Sequence, residues 1–249
     1  MATKSIWKSK NLIIYDDRYP SILSSLWKDC PLLAWYNDPS IGTYLFEDFN
    51  NYHAATLAGY TATQATSGTF TLGDEEYGTA VLNAGASTQH QGINVQKKGL
   101  MVKPAAGKTI WFECRFKAAN PTKLQGFIGL ASTDTTLMPS GVMDSSNSEY
   151  IGAGSPTTAA GVAKLYGCKA TTEGTVNSIF TFGTSYITFA MKIDGISNVY
   201  YSVDNVVGSN TLGTSYIPTN ALTPSFICQS DGVSQPTLTI DYYRVFQLR

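Results

Sequence analysis

The stretch KTIWFECRFKA, Lys108 to Ala118, sets Trp111, Glu113 and Arg115 at every second position. In a strand these three side chains share one face, and Ile110, Phe112, Cys114 and Phe116 share the other. An indole beside a carboxylate and a guanidinium is the chemistry of sugar recognition: a flat surface for the ring, with an acceptor and a forked donor for its hydroxyls. The favoured reading uses the same residues differently: Trp111 is buried beneath the N-terminal segment, because large aromatics usually find cover. The two readings separate on exposure: an open groove at Trp111 and Arg115 points to sugar binding, and cover by the segment points to assembly. A weaker oxygen-rich candidate is DSSNSE, where Asp144, Asn147 and Glu149 are a possible Ca²⁺ set. It lacks the ordered ligand spacing of a known calcium loop and reads better as a solvated loop.

Catalytic arrays are harder to find. A retaining glycosidase needs two carboxyl groups about 5 Å apart. Glu47-Asp48 and Asp74-Glu75-Glu76 place neighbours on opposite strand faces or in a turn, and Glu113 stands alone. His53 and His90 are the only histidines, and no Gly-x-Ser-x-Gly elbow accompanies them. AAGKT, Ala105 to Thr109, ends like a phosphate-binding loop, but Val102 stands where its first glycine belongs and a strand follows. The expectation is a protein that is not an enzyme and carries no cofactor.

The elements that position these residues follow from pattern. From Thr43 onward the chain is a series of short alternating runs: TYLFEDF, GYTATQAT, GTFTL, GTAVLNA, QGINVQ, KTIWFECRFKA, QGFIGLAS, EYIGAG, VAKLYGCKA, SYITFAMKI, NVYYSVD, PSFICQS and TLTIDYYRVFQLR. Turn residues divide them and no helical pattern of comparable length intervenes. An all-β, two-sheet antiparallel sandwich over residues 43–249 is expected. Asp194-Gly195 begins a hairpin turn between Ile187–Ile193 and Val199–Val203. In the last run, Leu238, Ile240 and Tyr242 alternate with Thr237, Thr239 and Asp241, so the first three are expected inside, and the opening strand near Phe46 is expected beside this closing one.

Residues 1–42 have a different texture and read as an extended, short-helical arm. Pro20 opens a predicted helix with Ile22, Leu23, Leu26 and Trp27 on one face and Pro31 just beyond its end. With Trp7, Leu32, Leu33 and Trp35 these make a set of apolar groups too large for a solvated tail. Each is worth about 1.5 to 3 kcal/mol when fully buried, so contact with a neighbouring subunit or a shell is expected.

Bulk properties narrow the partners. Only 14% of the 249 residues are charged and the net charge is −1. The longest basic run is Lys97-Lys98, so nothing can neutralise a phosphate backbone and no nucleic acid is expected. No stretch approaches 18 uninterrupted apolar residues, and no membrane partner is expected. Leu12–Tyr15 is followed by Asp16, Asp17 and Arg18, unlike the core of a secretory signal. Cys30, Cys114, Cys168 and Cys228 are scattered and read as buried free thiols.

DYYRVFQ, Asp241 to Gln247, resembles the closing strand of the concanavalin A-like superfamily, whose glucanases often end on Asp-Tyr-Val-Arg-Val-Tyr-Gln. Asp241, Tyr242, Arg244, Val245 and Gln247 match, while Tyr243 and Phe246 depart. The resemblance implies a jelly roll with a concave face, but the Glu-x-Asp-x-x-Glu array of those glucanases is missing. GKTIWFECRFKAANPTKLQGFIGLASTD, together with the ending, is also similar to the laminin-G-like jelly rolls of tailed-bacteriophage virion proteins. That resemblance implies a structural protein on the outer surface of a virion, made in the host cytoplasm. Its roles are capsid decoration or cement, with itself (a trimer, by analogy) and the major capsid protein as partners. The alternative is a glycan-binding fibre or receptor-binding module, with a surface glycan as partner.

Overall fold

A computed structural model describes residues 5–9, 12–16, 26–50, 57–65, 67–75, 78–85, 87–99, 102–156 and 161–249. In chain order the strands are β1 (Ser5–Ser9), β2 (Leu12–Asp16), β3 (Gly42–Glu47), β4 (Tyr60–Ala65), β5 (Thr69–Gly73) and β6 (Thr79–Asn83). They continue as β7 (Gly92–Lys97), β8 (Ile110–Ala119), β9 (Leu124–Ala131), β10 (Tyr150–Ser155), β11 (Val162–Lys169) and β12 (Thr172–Thr181). The last are β13 (Ile187–Asp194), β14 (Asn198–Val203), β15 (Val206–Val207), β16 (Leu212–Gly213), β17 (Thr223–Ser230) and β18 (Thr237–Leu248). A short helix, α1, spans Leu32–Asn37.

Two antiparallel sheets face each other. One has seven strands in the order β12-β11-β10-β9-β17-β7-β4. The other has nine, ordered β15-β14-β13-β8-β18-β6-β5, with β16 on β14 and β3 on β18. Their inner faces meet in one core because period-two alternation gives each strand an apolar side. Ile110, Phe112, Cys114 and Phe116 of β8 are all fully buried there, with Ile128 and Leu130 of β9 and Phe226 of β17 in the same cluster. All four cysteines are buried free thiols.

The last strand does most of the joining. β18 pairs with β8 along nearly its whole length, while its far side pairs first with β6 and then with β3, Tyr243–Leu248 against Gly42–Glu47. Between Ile240 and Tyr242 the register against β8 shifts by one, leaving Asp241 as an extra residue. A bulge of this kind reverses the side-chain parity beyond it. Leu238 and Ile240 point into the core before the bulge, and Tyr243 and Val245 after it. Tyr242, expected inside, is thereby turned to the outer face.

Both sheets carry cover on their outer faces. On the seven-stranded sheet, Leu137, Met138 and Met143 of the loop 132–149 pack on Phe127, Ile227 and Tyr150. Gln96 exchanges hydrogen bonds with the Ser132 carbonyl and the Asp134 amide to dock that loop. On the nine-stranded sheet, Leu26, Trp27 and Cys30 pack on Trp111, Ala190 and Phe246, with Leu32 and Trp35 beside them.

The arm therefore folds back on its own sheet from residue 26 onward. Of the helix expected from Pro20, residues 20–25 lie outside the described residues; Trp27–Cys30 is a hydrogen-bonded turn, and α1 begins just after Pro31. Proline lacks the amide that a helix interior needs, so it is tolerated at a helix entrance. Trp35 of α1 donates its indole N–H to the Gly42 carbonyl at 3.1 Å and meets the Tyr44 ring edge-on at 5.2 Å. Ile22 and Leu23 lie outside the described residues. Trp7 falls in β1 and Leu33 in α1. β1 and β2 form a separate two-stranded sheet, Ser5 opposite Asp16 through Ser9 opposite Leu12.

Trp27 is 0% exposed and lies over the β8–β18 surface. Trp27→Ala is expected to cost about 3 to 5 kcal/mol, the usual range for emptying a large aromatic site. Chemical denaturation read by tryptophan fluorescence and circular dichroism checks it. A loss below about 1 kcal/mol would mean that this cover is not part of the folded core.

Candidate functional site

The outer face of β8 and β18 is a ladder of facing residues: Trp111 opposite Phe246, Glu113 opposite Arg244, and Arg115 opposite Tyr242. β13 extends the first two rungs with Lys192 beside Trp111 and Ala190 beside Glu113, and β3 sets Tyr44 beside Phe246 and Phe46 beside Arg244. This face is divided in two. Its apolar half, around Trp111 and Phe246, is closed by the arm; its other half, around Arg115, Tyr242 and Phe46, stays open.

Of the three residues singled out on β8, each meets a different environment. Trp111 is 3% exposed and donates its indole N–H to the Leu26 carbonyl at 2.9 Å. It has no free face for a sugar. Glu113 is 2% exposed, and its Oε1 accepts from Arg244 Nε at 2.9 Å, Arg244 Nη2 at 2.8 Å and the Tyr242 hydroxyl at 3.0 Å. Arg244 in turn lies 4.0 Å over the Trp27 ring, which links the covered half to the open one. Arg115 is the one of the three that reaches the open surface. It pairs with Asp241, the bulge residue, and its guanidinium sits 4.1 Å over the Tyr186 ring.

Around Arg115 a groove opens with two adjoining cavities of about 330 Å³ each. The first is lined by Phe46, Asp48, Asn50, Glu75, Arg115, Tyr186, Asp241 and Tyr242. Phe46, Arg115 and Tyr242 also line the second, together with Glu113, Thr188, Asn205 and Arg244. Phe46 is 49% exposed, and its ring meets that of Tyr242 at 5.8 Å with a tilt of 41°.

Glu75, on the wall of the first cavity, is paired too. Glu75 takes Lys117 Nζ at 2.8 Å on one oxygen and the Tyr186 hydroxyl at 2.7 Å on the other. These two bonds hold its carboxyl below the usual carboxylate range despite a small opposing effect of burial. Burial pushes the Tyr242 phenol well above its ordinary value, and the neighbouring Glu113 carboxylate adds to the effect. Tyr242 is therefore a donor at any physiological pH. Such a wall offers hydrogen-bond donors, acceptors and two apolar ring surfaces without a surplus cation.

The loop candidate is assembled differently. Asp144 accepts from the Ser146 and Asn147 amides and the Asn147 side chain, closing its own turn. Glu149 is turned to another set of donors, the amides of Ala170, Thr219 and Asn220. Burial raises its carboxyl, but these bonds outweigh that and leave it below the ordinary value. The three residues are not brought together on a common point. Among the described residues no group of three or more His, Cys, Asp or Glu side chains could share a metal ion. AAGKT is a turn, closed by the Ala105–Lys108 bridge with Gly107 at φ +74°, that leads into β8.

Sequence reasoning found Arg115 and Glu113 but not Phe46, Asp48, Glu75, Tyr186, Asp241 or Tyr242 as groove residues. Asp241 and Tyr242 lay in DYYRVFQ, where they stood out for resemblance rather than for a site.

No family model and no curated protein matches the sequence. Solved structures do match in shape. Peanut lectin aligns with a TM-score of 0.58 at 12% identity over 83% of this chain and 99% of its own. An endo-1,3-β-glucanase from Streptomyces sioyaensis aligns at 0.56 and 12% identity over 84% and 98%. A carbohydrate esterase from a Shiga toxin-encoding bacteriophage aligns at 0.52 and 16% identity over 84% and 99%. By fold the chain is a concanavalin A-like jelly roll, of the kind shared by lectins and glucanases.

Glu113 and Arg244 are both largely withdrawn from water, so removing one leaves the other uncompensated. Glu113→Leu is expected to cost about 3 to 5 kcal/mol, and the double variant Glu113→Leu with Arg244→Met clearly less than the losses of Glu113→Leu and Arg244→Met combined. Urea denaturation of the double-mutant cycle reads this, and additive losses would show that the pair is not coupled.

Proposed function

We propose that the protein is a non-enzymatic glycan-binding jelly roll, and that the Phe46–Tyr242–Arg115 groove is where the glycan lies. The observation that carries this reading is the half-exposed Phe46 ring against Tyr242, set among paired charges on an open face of the fold. Sugar rings bind through an apolar face and a rim of hydroxyls, and this groove supplies an aromatic surface with donors and acceptors fixed around it.

Binding without cleavage is supported by the state of the carboxylates. Hydrolysis needs one carboxyl ready to donate a proton and a second free to attack or to activate water. Glu113 is held by Arg244 and Tyr242, Asp241 by Arg115, and Glu75 by Lys117 and Tyr186, so among the groove carboxylates only Asp48 is without a cation partner among the described residues, where hydrolysis needs two. A bacteriophage particle is the proposed carrier, with the module on its outer surface as a fibre or receptor-binding part. This placement rests on the resemblance of Gly107–Asp134 and Asp241–Gln247 to virion jelly rolls.

The capsid-decoration reading is supported by a different observation. Among the described residues β1 and β2 pair only with each other, and a lone two-stranded hairpin is marginal in water. A neighbouring subunit or the shell is the proposed cover for it. Trp27 and Leu26 are already spent on the chain's own sheet, so they are not the proposed attachment residues.

Phe46→Ala removes the exposed ring from the groove and is expected to change stability by less than about 1 kcal/mol. On a glycan array the wild-type chain is expected to bind a subset of sugars, and the variant to lose at least about tenfold in affinity for them. Binding that survives the substitution unchanged would place the site elsewhere.

A further inference from the structure

We infer, on the glycan-binding reading above, that the groove holds a neutral glycan in two adjoining subsites, one sugar ring per cavity, and discriminates against acidic sugars. Each cavity, at about 330 Å³, lies at the small end of the roughly 300 to 1,000 Å³ that ligand sites occupy. One ring fits such a space better than a chain. Because the two cavities share Phe46, Arg115 and Tyr242, they adjoin at the aromatic pair. A glycosidic link between two bound rings then crosses beside Phe46 and Tyr242, and both rings gain from the same surface.

The exclusion of acidic sugars follows from how the cations are already used. Arg115 has Asp241 and the Tyr186 ring, and Arg244 has Glu113 and the Trp27 ring. Lys117 has Glu75. Asp48 adds a further carboxylate to the first cavity, and among the described residues it has no cation partner. Carboxylates thus outnumber cations around the groove. A uronate or sialate would have to displace a carboxylate from its cation, or lie against Asp48. Neutral hydroxyls donate and accept at once, so they bond to paired carboxylates and guanidinium edges without separating them.

The test is calorimetric titration of the full chain with neutral gluco-, manno- and galacto-oligosaccharides from mono- to hexasaccharide, and with oligogalacturonates and sialyllactose. For at least one neutral series the affinity is expected to rise about tenfold from mono- to disaccharide and to level off beyond the trisaccharide. Acidic probes are expected to bind at least about tenfold more weakly. Thr188→Trp, which fills the second cavity alone, is expected to bring the disaccharide down to the monosaccharide's affinity and leave the monosaccharide unchanged. A thermal melt confirms that this variant is folded, and if it is not, the length series on the wild type still decides. Binding that is equal for one ring and two, or tighter for the acidic probes, overturns this inference and leaves the glycan-binding reading standing. No binding to any probe overturns both.

Discussion

One extra residue in β18 determines what the outer face of the nine-stranded sheet presents. Without the bulge at Asp241, the parity of Leu238 and Ile240 would carry through the strand, turning Tyr242 and Arg244 into the core and exposing Tyr243 and Val245. With it, the Tyr243 hydroxyl is buried 2.7 Å from that of Tyr60, and Arg244 reaches Glu113 on the neighbouring strand. The bulge also releases Asp241 to meet Arg115. A local backbone irregularity thus sets both the core of the closing strand and the charge pattern of the groove, as bulges beside functional sites often do.

From that ladder the division of the face follows. Trp111 and Phe246 form an apolar end that water would penalise, and the arm covers it with Leu26 and Trp27. Arg244 stands at the boundary, stacked on Trp27 on one side and paired with Glu113 on the other. Stability and recognition are linked there, because the cover that protects the core also fixes the guanidinium that bounds the second cavity. The groove walls come from β3, β8, β13 and β18 and the segments beside them, all parts of one packed sheet. Such a scaffold positions side chains with little freedom to lose on binding.

Much of the sheet plan was legible because it rests on alternation. The β13–β14 hairpin, the pairing of the opening and closing strands, and the inward face of β8 all follow from period-two runs. β12 was not legible: Thr172–Thr181 is an edge strand, exposed along much of both faces, so nothing forces an apolar period upon it. α1 was not legible because Pro31, read as the stop of a preceding helix, serves equally well as an entrance. Tyr242 was assigned inside because Asp-Tyr-Tyr gives no hint of which tyrosine the bulge will turn outward. The groove itself draws on residues from Phe46 to Arg244, brought together only by strand order, and only Glu113 and Arg115 stood out on one strand.

The central claim is that the open half of this face is the recognition surface. NMR of the chain, with assigned aromatic, methyl and arginine side-chain signals, tests it most directly when a bound neutral oligosaccharide is added. The account predicts shifts concentrated at Phe46, Arg115, Tyr186, Thr188 and Tyr242, with Trp111 and Trp27 nearly unmoved beneath the arm. Shifts confined to the outer face of the seven-stranded sheet, around Phe127 and Tyr150, would contradict it.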